Sequence, residues 1–134
     1  MRALALCAVL GFVVALGGCG GGDEEKKPPP VITGTLNPAA QKVAQEYVDA
    51  YAVKNAARIC AVLAPDIQTE IAKNGGSCLK GMQKAIKGTT PAVGLTVGET
   101  RSTGDTAHAL IVGQIRQITL KKIAGRWKIV DGGT

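Results

Sequence analysis

The hydrophobic pattern changes period part-way along the chain, and that change limits the possible folds more than any other feature. From Asn37 to Lys87 apolar residues recur at helical spacing; after Gly88 and Pro91 they fall in extended segments rich in Val, Ile and Thr, separated by turn residues. Helices first and consecutive strands second predict an α+β domain, with N-terminal helices packed on one face of a curled antiparallel sheet of about four strands.

Within the first half, Asn37-Pro38 reads as a helix start, an Asn able to cap and a Pro at the position where its missing N–H is no loss. Val43, Ala44, Tyr47, Val48 and Tyr51 then share one side, while Lys42, Gln45, Glu46 and Asp49 share the other, so this helix covers a core and ends near Lys54-Asn55. A second helix is expected from Ala56 to Leu63, broken by Pro65. A third is expected from Ile67 to Lys73, capped by Asp66 and stopped at Asn74-Gly75-Gly76. Ser77 can cap a fourth, from Cys78 to Lys87. Strands are expected near Ala92–Arg101, Thr106–Gln114, Arg116–Ile123 and Arg126–Val130, with a Ser102–Asp105 turn, a bend or bulge at Gly113 and an Ala124-Gly125 turn.

The N-terminus reads as an address. Arg2 precedes an uncharged run from Ala3 to Leu16, shorter than the roughly 20 residues of a membrane-spanning helix. Leu16-Gly17-Gly18-Cys19 resembles a bacterial lipobox, which implies cleavage before Cys19, lipid on its thiol and anchoring at the extracytoplasmic face of a cell membrane. Residues 1–18 are then a lipoprotein signal peptide, 19–36 a lipidated flexible tether of Gly, mixed charge and prolines, and 37–134 a single domain with one small core. Losing residues 1–18 removes Arg2 alone, leaving 15 basic against 10 acidic residues.

The four cysteines fit export. Cys7 leaves with the signal, Cys19 takes lipid, and Cys60 and Cys78 remain as a pair for a disulfide in an oxidising compartment. Two buried free thiols are the bland alternative. Zinc lacks ligands, with one His and no further Cys, so neither a metal nor another cofactor is expected.

The helix-then-sheet order, the Thr-Gly-Asp-Thr-Ala lead into Thr106–Gly113 and the closing Ala124-Gly125-Arg126-Trp127-Lys128-Ile129-Val130-Asp131 resemble the nuclear transport factor 2-like (SnoaL-like) superfamily, and more narrowly its small actinobacterial-type lipoproteins. The resemblance spans about residues 37–131 and implies a cone of helices and sheet. A cystatin-like helix on a sheet is the rival fold.

Enzymes of that superfamily use Asp, His and Tyr facing into the cone. Here the candidates for such a pocket are Tyr47, Tyr51 and His108. Alternation puts His108 with Thr106, Leu110 and Val112, opposite Ala107, Ala109 and Ile111, without saying which set faces inward. No catalytic motif of the family transfers residue by residue. Lys121, Lys122, Arg126 and Lys128 crowd the last hairpin, either as a solvated sheet edge or as a patch for anionic lipid or cell-wall polymer, with Arg116 a further candidate. Nucleic acid is not an expected partner, because no aromatic residues interleave with the basic ones. Three readings follow: a non-catalytic module that binds a small apolar ligand or an envelope protein, an isomerase-like or hydrolase-like enzyme using an inward His108, and a structural spacer.

Overall fold

The computed structural model of the chain describes residue 28, residues 30–91 and residues 93–133. The expected signal peptide, Cys19 and the start of the expected tether lie outside the described residues. Element order is β1 (Thr35–Leu36), α1 (Pro38–Ala52), α2 (Ala56–Val62), α3 (Pro65–Ala72), α4 (Cys78–Lys87), β2 (Val97–Thr103), β3 (Thr106–Ile111), β4 (Gln117–Ile123) and β5 (Arg126–Asp131). The five strands form one open antiparallel sheet in chain order, so the fold is α+β.

Asn37 fastens the start of α1 in three ways. Its side-chain oxygen accepts from the Ala40 N–H (2.9 Å), its amide donates to Ser102 Oγ (2.9 Å), and its backbone N–H donates to the Thr100 carbonyl (2.9 Å). The helix is thereby held on β2 before it has turned once. Ala40, Ala44 and Val48 are buried along one stripe of α1, and Ala107 and Ala109 are buried on β3. Alanine on both sides lets backbone approach backbone, and this close seating decides which sheet face is covered. The core continues through Ile59 of α2, Met82 and Ile86 of α4, and Val97, Ile111, Ile118, Leu120 and Ile129 of the sheet. Each such large side chain contributes roughly 1.5–3 kcal/mol by leaving water.

Asn55 caps α2 by accepting from the Arg58 N–H (3.1 Å), and Ser77 caps α4 by accepting from the Lys80 N–H (3.2 Å). The third helix differs from its expected start. Pro65 occupies its first turn instead of breaking the chain before it, the cap position is Ala64 with no side-chain cap, and Asp66 sits inside the first turn. Gln68 answers for the end of α2, its amide donating to the carbonyls of Cys60 (2.8 Å) and Leu63 (3.0 Å). A Cys60–Cys78 disulfide with Cα atoms 6.1 Å apart ties α2 to α4.

Three sheet features depart from the sequence reading. The tether was expected to run to Leu36, yet Thr35 and Leu36 pair with Ser102 and Arg101 as a fifth strand, β1. Arg101 Nη1 also donates to the Gly34 carbonyl (2.8 Å), so the tether joins the sheet two residues early. The sheet therefore has five strands, not about four. The last edge is also partly covered, because Leu63 bridges Ile129 in parallel and Ala64 N–H donates to the Ile129 carbonyl (2.8 Å). At the other end β2 begins at Val97, later than the expected Ala92. A slip of register between Val97 and Thr100 turns both residues inward. Gly113, with φ +77°, lies in the turn joining β3 to β4 rather than in a strand. The final hairpin turns on Ala124 and Gly125, both at positive φ, matching the twist of the flanking strands.

Candidate functional site

One end of α1 and the open end of the sheet enclose a cavity of about 230 Å³, lined by Tyr47, Val48, Tyr51, Leu95, Ile111, Gln114, Arg116, Gly132 and Gly133. Helical spacing puts Tyr47 and Tyr51 one turn apart, and their rings meet edge to face at 4.9 Å between centroids. The Tyr51 hydroxyl donates to the Met82 sulfur at 3.7 Å, which holds that ring against α4. Burial, with Tyr51 beside it and the Asp131 carboxylate near, pushes the Tyr47 hydroxyl well above its ordinary range. It therefore stays protonated and able to donate at any physiological pH.

The remaining walls come from segments that sequence alone did not single out for a pocket. Leu95 stands in the stretch ahead of β2, where it packs on the core. Gln114 and Arg116 come from the turn between β3 and β4, both exposed at the cavity mouth. Gly132 and Gly133 follow β5, and the Gly133 N–H donates to Asp131 Oδ1 (2.9 Å), folding the chain back across the opening. Glycine was the available signal: a pair directly after the last strand marks close backbone approach. Arg116 belongs to this mouth and not to the basic cluster, since it stands just ahead of β4 whereas Lys121 and Lys122 fall towards the far end of that strand.

His108 does not join Tyr47 and Tyr51, which corrects its placement as a pocket residue. On β3 the buried residues are Ala107, Ala109 and Ile111, so His108 is on the face away from the helices. There it stands in register between Arg101 and Thr119, with Nδ1 3.4 Å from Thr119 Oγ1. An inward histidine was the condition for acid–base chemistry in the cavity, and its strand position rules that arrangement out.

The basic cluster is divided by strand alternation. Lys121 pairs with Lys128, whereas Lys122 pairs with Trp127, a residue packed against the core. Lys121, Lys122 and Arg126 are exposed, but Lys128 Nζ donates to the Ala61 carbonyl (2.6 Å) and so serves the edge of the fold. A second basic stripe, Lys80, Lys84 and Lys87, runs along the exposed side of α4 beside a trough of about 430 Å³. Its i, i+4, i+7 spacing, with no acid in α4, was legible in the sequence.

Among the described residues no group of three or more His, Cys, Asp or Glu is arranged to hold a metal. Nor is any described helix long and apolar enough to cross a membrane. Comparison of the chain with protein-family models, with curated proteins and with solved structures finds no match. What the fold and the cavity define is a small disulfide-tied α+β domain with an apolar cleft between its first helix and the open end of its sheet.

Proposed function

We propose that this protein is a lipid-anchored module of the cell envelope whose domain, of the nuclear transport factor 2-like kind, binds a small apolar ligand between α1 and the sheet without catalysing a reaction on it. The cavity walled by Tyr47, Val48, Tyr51, Leu95 and Ile111 is the observation that carries this reading. Ligand sites are concave and mostly apolar with a few polar groups at defined places, and this cleft has that composition. The helices-on-one-face arrangement supports the superfamily resemblance over a cystatin-like fold, since four helices rather than one precede the main sheet. The spacer reading is weakened by the same cleft, because a pure spacer has no use for an apolar opening at the surface.

Anchoring rests on Leu16-Gly17-Gly18-Cys19 and on the Cys60–Cys78 bridge, a bond at home outside the reducing cytosol. A single acyl chain holds a protein only marginally, so two or three chains on Cys19 are what a stable anchor requires.

Intact mass of the protein extracted from its own membrane tests both parts. The expected denatured mass is residues 19–134 plus acyl groups, less two hydrogens, with additional mass present only under native conditions. A denatured mass without acyl groups overturns the anchor, and a native mass with nothing bound overturns the ligand reading.

A further inference from the structure

The cavity is chemically lopsided. Its interior is built from Val48, Leu95, Ile111 and the two tyrosines, while the exposed residues Gln114 and Arg116 complete its lining. Among the described residues no carboxylate lines it. Asp131, whose carboxylate acts on the Tyr47 hydroxyl, accepts at Oδ1 from the Gly133 N–H. The ion pairs among the described residues are Arg58–Glu46, Lys73–Glu70 and Arg101–Glu99, and Arg116 is in none of them. Tyr47 adds a hydroxyl that burial keeps protonated, set against Gly132 in the cavity wall.

These positions select a ligand by its two ends. An apolar body would leave water for the interior. A guanidinium offers two parallel N–H groups matched to a carboxylate, and in a mouth shielded on one side their attraction is screened less than in open water. At about 230 Å³ the cleft lies below the roughly 300–1,000 Å³ usual for drug-sized ligands, which favours a small ligand with a short chain. An ammonium head would face Arg116 with like charge, and a neutral head would gain no charge attraction from it.

We propose that the cavity takes a carboxylate with a short to medium apolar chain, chain inward between Tyr51, Leu95 and Ile111 and carboxylate against the Arg116 guanidinium, with Gln114 and the Tyr47 hydroxyl as further donors. This deepens the reading of the cavity as a small-ligand site and rests on it.

The test uses the intact chain in its own membrane and a photoactivatable diazirine analogue of octanoate, with labelled peptides located by mass spectrometry. Octanoate, 1-octanol and octylammonium then compete for the label, each at several concentrations, in the wild type and in Arg116→Gln. Labelling is expected on the peptides carrying Tyr47, Tyr51 and Leu95. Octanoate should compete at a concentration at least tenfold below those of octanol and octylammonium, and Arg116→Gln should collapse that preference. Since the membrane is common to both proteins, partitioning of the competitors cancels in the comparison. Equal competition by octanoate and octanol in the wild type overturns the anionic head while leaving an apolar ligand standing. A preference that survives Arg116→Gln overturns the role of Arg116. No specific labelling of the cavity peptides overturns the small-ligand reading itself, and the present inference with it.

Discussion

Gly132 lies directly against the Tyr47 hydroxyl, so close that a methyl group on its Cα would overlap the phenolic oxygen. The glycine lets the chain after β5 cross the end of α1 and form one wall of the cavity. Gly132→Ala should therefore displace either the Tyr47 ring or the 132–133 segment and narrow the opening. The expected result is at least a tenfold loss of octanoate-analogue labelling with the sheet intact by far-UV circular dichroism. Undiminished labelling would show that Gly132 has no part in shaping the site.

A comparable approach joins α3 to α4, where a Cβ on Gly81 would overlap the carbonyl oxygen of Ile71. Alanine is ordinarily the better helix former by roughly 0.5–1 kcal/mol. Overpacking costs about 1–3 kcal/mol, so Gly81→Ala should lower stability. At about 4–8 °C for each kcal/mol in a domain of this size, a melting temperature several degrees lower is expected. A rise would mean that the two helices part at no cost.

Thr100 is 1% exposed and its hydroxyl has no hydrogen-bond partner. An unsatisfied buried polar group costs about 1–3 kcal/mol, and Val has nearly the same shape without the hydroxyl. Thr100→Val should raise thermal stability by about 1 kcal/mol, read by calorimetry. Destabilisation would reveal a partner for that hydroxyl.

The Cys60–Cys78 bridge closes a separation of 18 residues between α2 and α4. On the loop-entropy account its loss costs about 3 kcal/mol, so reduction, or replacement of both cysteines by Ala, should lower the melting temperature by about 10 °C or more. An unchanged melting temperature would show that packing of α2 on α4 suffices without it.

Glu46 and Arg58 join α1 to α2 by two hydrogen bonds, 2.7 and 2.8 Å. The hydrogen bond from Arg58 holds the Glu46 carboxyl below its ordinary value of 4.5. A depressed carboxylate contributes stability at pH above the unfolded value, and that contribution is lost as pH falls through the lower, folded value. Both side chains are about two-fifths exposed, so the effect is small. The melting temperature of the wild type should exceed that of Glu46→Gln at neutral pH, with the gap closing in acid below 4.5. A gap that widens in acid would reverse the assignment.

Much of the local structure was legible along the chain because its causes are local. Asn37, Asn55 and Ser77 cap helices within three residues of themselves, and Ala124-Gly125 turns the last hairpin through its own backbone. The amphipathic face of α1 follows from spacing alone, and the two cysteines of the domain found each other in the arrangement their number suggests. Helices before strands, and therefore an α+β domain, needed no tertiary information.

The site needed it throughout. Alternation divides β3 into Ala107, Ala109, Ile111 and His108, Leu110, but only the seating of α1 alanines on the strand alanines decides that His108 faces away. Leu95, Arg116 and Gly132 are distant in sequence and carry no shared motif; strand register and the turn after β3 bring them to one opening. Thr35-Leu36 has no strand signature of its own and becomes β1 because the edge of β2 offers it hydrogen bonds. Sequence by itself determined the order of helices and main strands, the caps of α1, α2 and α4 and the pairing of cysteines, all set by interactions within a few residues or by elimination. Tertiary structure alone decided which faces and loops share the cavity, because that depends on distances between segments that no local preference encodes.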